Sequence, residues 1–134
     1  MSEKLTLKVF PKGWGREAYR VFEISDTQTL EDLCYRILAC FDFDADHMYA
    51  FYMDNVPYSR TAAYSCDGFR SVSAAKLSLF HLLKGQKFIL HYDFGDDWMF
   101  MINVQKVEPS DGKEKFKLIR SKGSVEQYPD WDEE

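Results

Sequence analysis

The sequence predicts an α+β fold: a single-domain α/β roll with an antiparallel sheet, a β-grasp-like strand-strand-helix-strand start and a C-terminal β-meander. Segments near both ends alternate apolar and polar residues with the two-residue period of a half-buried strand. Between them lies one stretch with the 3.6-residue period of an amphipathic helix. Aromatic residues make up 16% of the chain, a share that suits a sheet-built core better than a plain helical bundle.

The elements follow in order. "LTLKVF" sets Leu5, Leu7 and Val9 against Thr6 and Lys8, giving a strand with one buried side. "PKGWGR" supplies a loose turn through Pro11, Gly13 and Gly15, and "EAYRVFEI" reads as the returning strand. In "SDTQTLEDLCYRILACF", Leu30, Leu33, Cys34, Ile37, Leu38 and Phe41 share one helical face. Thr29 followed by Asp32 resembles a capping box, and Glu31 and Asp32 complement the positive end of the helix dipole. "HMYAFYMDN" is the next strand. The stretch "VPYSRTAAYSCDGFRSVSA", with no sustained period, forms a long connection from Pro57 to Ser73. "AAKLSLFHLLKG" predicts a short helix closed by Gly85.

"KFILHYDF" and "WMFMINV" both alternate and flank Gly95, Asp96 and Asp97. A loop with an odd number of residues pairs Phe94 with Trp98, Tyr92 with Phe100, Leu90 with Ile102 and Phe88 with Val104, placing every large apolar side chain on one face. His91, Asp93, Met99, Met101 and Asn103 then occupy the other. Because Gly95 comes first in this loop instead of last, a longer or bulged loop is also compatible. Asp111-Gly112 in "PSDGKEK" is a hairpin signal, so "EKFKLIR" returns as an antiparallel strand before an acidic tail over 126–134.

Size and charge limit the function. The 134 residues fit one domain, 1–134, and the formal charge of −5 disfavours a general nucleic-acid binder, whose affinity rests on Lys and Arg neutralising phosphates. Lys113, Lys115, Lys117, Arg120 and Lys122 form a local exception, read first as a solvated strand face that resists edge pairing. Cys34, Cys40 and Cys66 are three in number with no C-x-x-C pair, which fits neither a disulfide framework nor a zinc knuckle and suits a reducing cytoplasm. No segment approaches ~18 consecutive apolar residues, so no membrane association is expected.

The acidic stretch "HYDFGDDW" invites a catalytic reading. Asp93, Asp96 and Asp97, with His91 as ligand or base, offer oxygen donors for Mg²⁺ or Mn²⁺ and hence for a metal-dependent hydrolase or nuclease. The plainer reading is a turn whose carboxylates accept hydrogen bonds from loop amides, and it is preferred because no second acidic motif completes a coordination sphere. The embedded "DFG" lacks the Gly-rich loop and H-R-D segment of a kinase. "DFDAD" at Asp42, Asp44 and Asp46 fails as a calcium loop, having His47 where glycine and Met53 where glutamate belong. His47, His81 and His91 show no metal-ligand spacing, and Cys34 sits on the buried helix stripe as a core residue. No cofactor is expected beyond Mg²⁺ or Mn²⁺ under the hydrolase alternative.

"YDFGDDW" at Tyr92 to Trp98, "LTLKVF", "YR" at Tyr19 and Arg20, "TLEDL" at Thr29 to Leu33 and "HMYAF" at His47 to Phe51 together resemble the plasmid pRiA open-reading-frame-three family, whose relatives include passenger proteins of transposable elements. The likeness runs from about Leu5 to about Trp131. It departs where relatives have Trp-Arg in place of Tyr19-Arg20, and where they continue after a Pro-Pro-Glu-Asp-like stretch into a cysteine- and glycine-bearing segment. The resemblance implies an α+β roll of bacterial, plasmid- or transposon-associated kind and no particular reaction.

The leading expectation is a non-enzymatic binding or interaction module with a protein partner. It would make contact through the loop from Pro57 to Ser73, the polar side around His91, Asp93 and Asn103, and the acidic tail, whose Tyr128 and Trp131 are expected to dock on the domain. The hydrolase and an accessory nucleic-acid binder using Lys113 to Lys122 are the alternatives.

Overall fold

The computed structural model describes residues 2–66 and 70–128. Within them one antiparallel sheet runs in the order β4-β3-β5-β6-β1-β2-β7. Its strands are β1 (Ser2–Pro11), β2 (Tyr19–Ser25), β3 (Tyr49–Tyr52), β4 (Ala63–Ser65), β5 (Lys87–Tyr92), β6 (Trp98–Ser110) and β7 (Lys117–Lys122). A helix, α1 (Leu30–Cys40), follows β2, giving the expected strand-strand-helix-strand start. No helix among the described residues is long and apolar enough to cross a membrane.

The core lies between α1 and one face of the sheet. Leu5, Leu7 and Val9 of β1 and Phe22 and Ile24 of β2 point inward, with Leu5 opposite Ile24 and Leu7 opposite Phe22. Leu30, Leu33, Cys34, Ile37 and Leu38 of α1 close over them. The capping box is complete: the Asp32 amide donates to Thr29 Oγ1 at 3.1 Å, and Asp32 Oδ2 accepts from the Thr29 amide at 3.0 Å. Burial pushes the Cys34 thiol pKa well up, consistent with a packing role for this side chain.

The acidic hairpin keeps its predicted faces but not its register. Tyr92 pairs with Trp98, Leu90 with Phe100 and Phe88 with Ile102, so the loop is the five residues from Asp93 to Asp97. An odd count preserves the faces, while the pairing slides by two residues and expels Phe94, which is 47% exposed. The aspartates cause the slide. Asp93 and Asp97 both take left-handed backbone, at φ 63° and 55°, and the Asp97 amide donates to the Asp93 carbonyl at 2.6 Å. Asp93 Oδ1 accepts from the Gly95 and Asp96 amides at 3.2 and 3.4 Å, closing the turn immediately after Tyr92.

Three other expectations change. The helix predicted over "AAKLSLFHLLKG" is a single 3-10 turn, Leu77–Phe80, ended by His81 at φ 47°. Leu77 and Leu82 are buried whereas Leu79 and Leu83 lie outside, so the leucines form no helical stripe. The connection from Pro57 to Ser73 contains the short strand β4, which pairs with β3. Finally, β7 does not return beside β6, as a hairpin and meander would require, but pairs with β2 at the far edge. β6 already has β5 on one side and β1 along most of the other. Gly112 still turns, at φ 78°, beside Ser2 and Thr27, and the chain passes the ends of β1 and β2 to reach the free edge.

The opposite face of β3 and β5 carries a small second core of Ala50, Tyr52, Ile89 and Met99. Tyr58, from the connection before β4, packs edge-on to His91 at 5.2 Å between ring centres.

Candidate functional site

The structure separates the acidic residues that the sequence groups together. His91 is buried and bonded at both ring nitrogens, Nδ1 to Tyr52 Oη at 2.6 Å and Nε2 to Asp97 Oδ1 at 2.6 Å. A neutral ring satisfies both contacts if Nε2–H donates to the carboxylate and the Tyr52 hydroxyl donates to Nδ1. Burial first, and then the neighbouring Tyr58 and Asp97, push the Tyr52 phenol pKa up and keep it a donor. This Tyr52-His91-Asp97 chain joins β3, β5 and the hairpin loop. Asp93 turns away from it, its Oδ2 lying 3.5 Å from His47 Nε2. Asp96 faces a third direction, into a cleft. Among the described residues no group of three or more His, Cys, Asp and Glu side chains stands together as a metal-ligand set.

That cleft, of about 700 Å³, is built by three separate segments. The β1–β2 loop contributes Trp14, held by hydrogen bonds from the Trp14 amide to the Pro11 carbonyl (2.9 Å) and from the Ala18 amide to the Trp14 carbonyl (2.8 Å). The start of β6 contributes Trp98, packed edge-on against Phe43 at 4.9 Å and stacked on Phe100 at 6.2 Å. The C-terminal segment supplies Ser124 to Tyr128. Gln127 fixes that segment, accepting from the Asp44 amide at 2.6 Å and donating to the Asp44 carbonyl at 3.3 Å. Tyr128 Oη meets His47 Nε2 at 2.7 Å. The Tyr92 hydroxyl donates to the Asp44 carbonyl and accepts from the His47 amide, tying this segment's support to the sheet.

Gly123 sets where the segment enters. Its φ is 63°, and a Cβ there would collide with the Glu17 carbonyl oxygen, so only glycine brings the two backbones this close. Gly123→Ala is expected to lower stability by about 2 kcal/mol through strain and displacement of the cleft wall. Thermal unfolding together with the change in tryptophan emission on mutation checks it.

Two indoles and a phenol line the cleft with the carboxylates of Asp96 and Glu126, and no Lys, Arg or His is among its lining residues. The Tyr128 phenol pKa is raised first by desolvation and then by the charges of Asp46, Asp44, Asp93 and Asp96.

The other predicted residues, Asp96 and the tail residues aside, are not among those that line the cleft. Lys117, Arg120 and Lys122 belong to β7, whereas Lys113 and Lys115 precede it in the crossing segment. Asn103 sits on the outer face of β6, opposite Lys8. Of the acidic tail, Gln127 and Tyr128 make the contacts above, and residues 129–134, including Trp131, lie outside the described residues. The sequence places Trp98 on the inward face of the hairpin and assigns Trp14 and Glu126 no role, and more than a hundred residues separate Trp14 from Glu126. An aromatic in each of three distant segments is the signal, and nothing local brings them together.

Residues 3–129 match the model of the family described as plasmid pRiA4b ORF-3-like protein. The crystal structure of a protein of unknown function, MM3350 from Methanosarcina mazei Go1, is similar at a TM-score of 0.76 and 25% identity, over 93% of this chain and 72% of that one. No curated protein matches the chain. The match across nearly the whole length settles the assignment: the chain belongs to the plasmid pRiA4b ORF-3-like protein family.

Proposed function

We propose that the chain is a binding module whose cleft takes a small organic cation. One observation carries this reading: Trp14, Trp98 and Tyr128 share a concave site with Asp96 and Glu126, and among the described residues no cationic side chain lines it. The negative faces of aromatic rings attract an ammonium or guanidinium group, and carboxylates at the rim add to that attraction while repelling anions. The volume lies within the range of about 300–1,000 Å³ found for small-molecule sites. Ser124 also lines the site, but neither a histidine nor a cysteine stands there to activate it, which favours binding over chemistry.

A divalent cation on Asp93, Asp96 and Asp97 has less support. Asp93 Oδ1 is engaged with loop amides and Asp97 Oδ1 with His91, on different sides of the hairpin.

Choline and its uncharged carbon isostere, 3,3-dimethylbutanol, test the proposal through tryptophan fluorescence and thermal shift. Choline should saturate a fluorescence change and raise the melting temperature, and the isostere should bind at least tenfold more weakly, about 1.4 kcal/mol. Asp96→Asn should weaken choline roughly fivefold, about 1 kcal/mol. Equal binding of the two compounds, or no response to either, overturns the reading.

A further inference from the structure

The outer face of the sheet carries a second surface with the reverse charge. On the outer face of β1, β2, β6 and β7, register decides which side chains stand together, because directly opposed residues share a face. The β2–β7 pairing jumps from Val21 opposite Arg120 to Phe22 opposite Leu118, leaving Ile119 as an extra residue in a bulge. Simple alternation would put Lys117 on the other face from Arg120 and Lys122. The bulge instead sets all three opposite outer-face residues of β2, namely Glu23, Val21 and Tyr19.

Lys8 of β1 joins them, its Nζ 4.5 Å from the centre of the Tyr19 ring and 5.9 Å from that of Phe10. Thr6, Lys8, Tyr19, Val21, Gln105, Ile119 and Arg120 surround a depression of about 260 Å³. The two outer-face glutamates are already occupied. Lys4 bridges Glu23 and Glu108 at 3.4 and 3.5 Å, and Lys106 also reaches Glu108. Lys8, Lys117, Arg120 and Lys122 make no ion pair among the described residues. The net charge of −5 conceals this surface: 22 acidic residues outnumber 17 basic ones over the whole chain, and two of the acidic ones, Asp96 and Glu126, line the cleft.

We propose that this outer sheet face binds single-stranded nucleic acid, with Lys8, Lys117, Arg120 and Lys122 on phosphates and the half-buried Tyr19 and Phe10 rings against bases. Cations interleaved with aromatic rings on an open sheet suit a strand that has both phosphates and unstacked bases. An acidic polypeptide would use the charges and leave the rings idle. The site shares no lining residue with the cleft and does not depend on what the cleft binds.

Fluorescence anisotropy with a labelled single-stranded oligonucleotide, as DNA and as RNA, and with the matching duplex tests the proposal on the full chain. With four phosphates neutralised, the single-strand salt slope should be about −2.8, so raising salt from about 50 to about 200 mM should weaken binding roughly fiftyfold. The double variant R120Q/K122Q lies on the exposed edge strand and should melt like the parent. Its slope should be shallower by about 1.4. Failure to bind single strands at low salt, duplex binding as tight as single-strand binding, an unchanged slope in the variant, or displacement by polyglutamate at equal charge concentration would each overturn it, the last in favour of an acidic protein.

Discussion

Replacing Arg20 with alanine is expected to lower stability by about 3 kcal/mol, although this side chain has no acidic partner among the described residues and lies outside the cleft. Arg20 is buried on the inner face of β2, and its guanidinium works as a fork between three backbone segments. Nε donates to the Cys40 carbonyl at 2.9 Å, and Nη1 donates to the carbonyls of Tyr19 and Lys122 at 2.8 and 2.9 Å. The group also lies 4.5 Å above the Phe41 ring. The last turn of α1 has no basic residue of its own, so a cation from β2 answers the negative end of the helix dipole.

Alanine at position 20 removes these charge-assisted bonds together and leaves partly buried carbonyls to find other donors. Arg20→Lys should recover less than half of the loss, because an ammonium lacks the planar fork. Urea unfolding gives the magnitude, and hydrogen exchange gives its location: the amides of β7 should lose protection first. A loss under about 0.5 kcal/mol would mean that water already satisfies those carbonyls.

Arg20 also shows what the sequence hides. Its position next to Tyr19 is part of the family resemblance, but its role depends on Lys122, 102 residues away, and no pattern announces that contact. What depends on local period was readable. The α1 stripe and its capping box needed only Thr29, Asp32 and the spacing of leucines. The hairpin faces needed only the parity of the loop.

Register needed more. Two aspartates adopting left-handed backbone decide where the turn closes, and aspartate tolerates both that conformation and the ordinary one. The stretch after Lys76 failed for a different reason, since a run of leucines supplies helix propensity without a face to bury. The partner of β7 is set by which sheet edge is vacant once β1 and β5 have claimed β6, a fact of topology. The cleft and the basic outer face inherit this non-locality: one needs three distant segments, the other a bulge that a two-residue period cannot foretell.

Trp98→Ala should affect both levels at once, lowering stability by about 3 kcal/mol and weakening any cleft ligand at least tenfold. Trp98 pairs with Tyr92 at the last position before the acidic loop, and its indole fills the space between Phe43 and Phe100 while its free side forms the cleft wall. Removing it opens a void beside Phe43 and loosens the support of the 44–47 connection on which Gln127 and Tyr128 rest. A binding loss in this variant alone therefore does not separate recognition from collapse of the wall. Trp14 provides the separation, because it is 44% exposed and contributes far less packing. Trp14→Ala should change stability by no more than about 0.5 kcal/mol and still cost most of the choline affinity, while Trp98→Phe should hold stability to within about 1 kcal/mol. Melting temperature and fluorescence titration on the three variants decide the matter: if Trp14→Ala binds as the parent does, the indoles are packing elements and the cleft is no cation site.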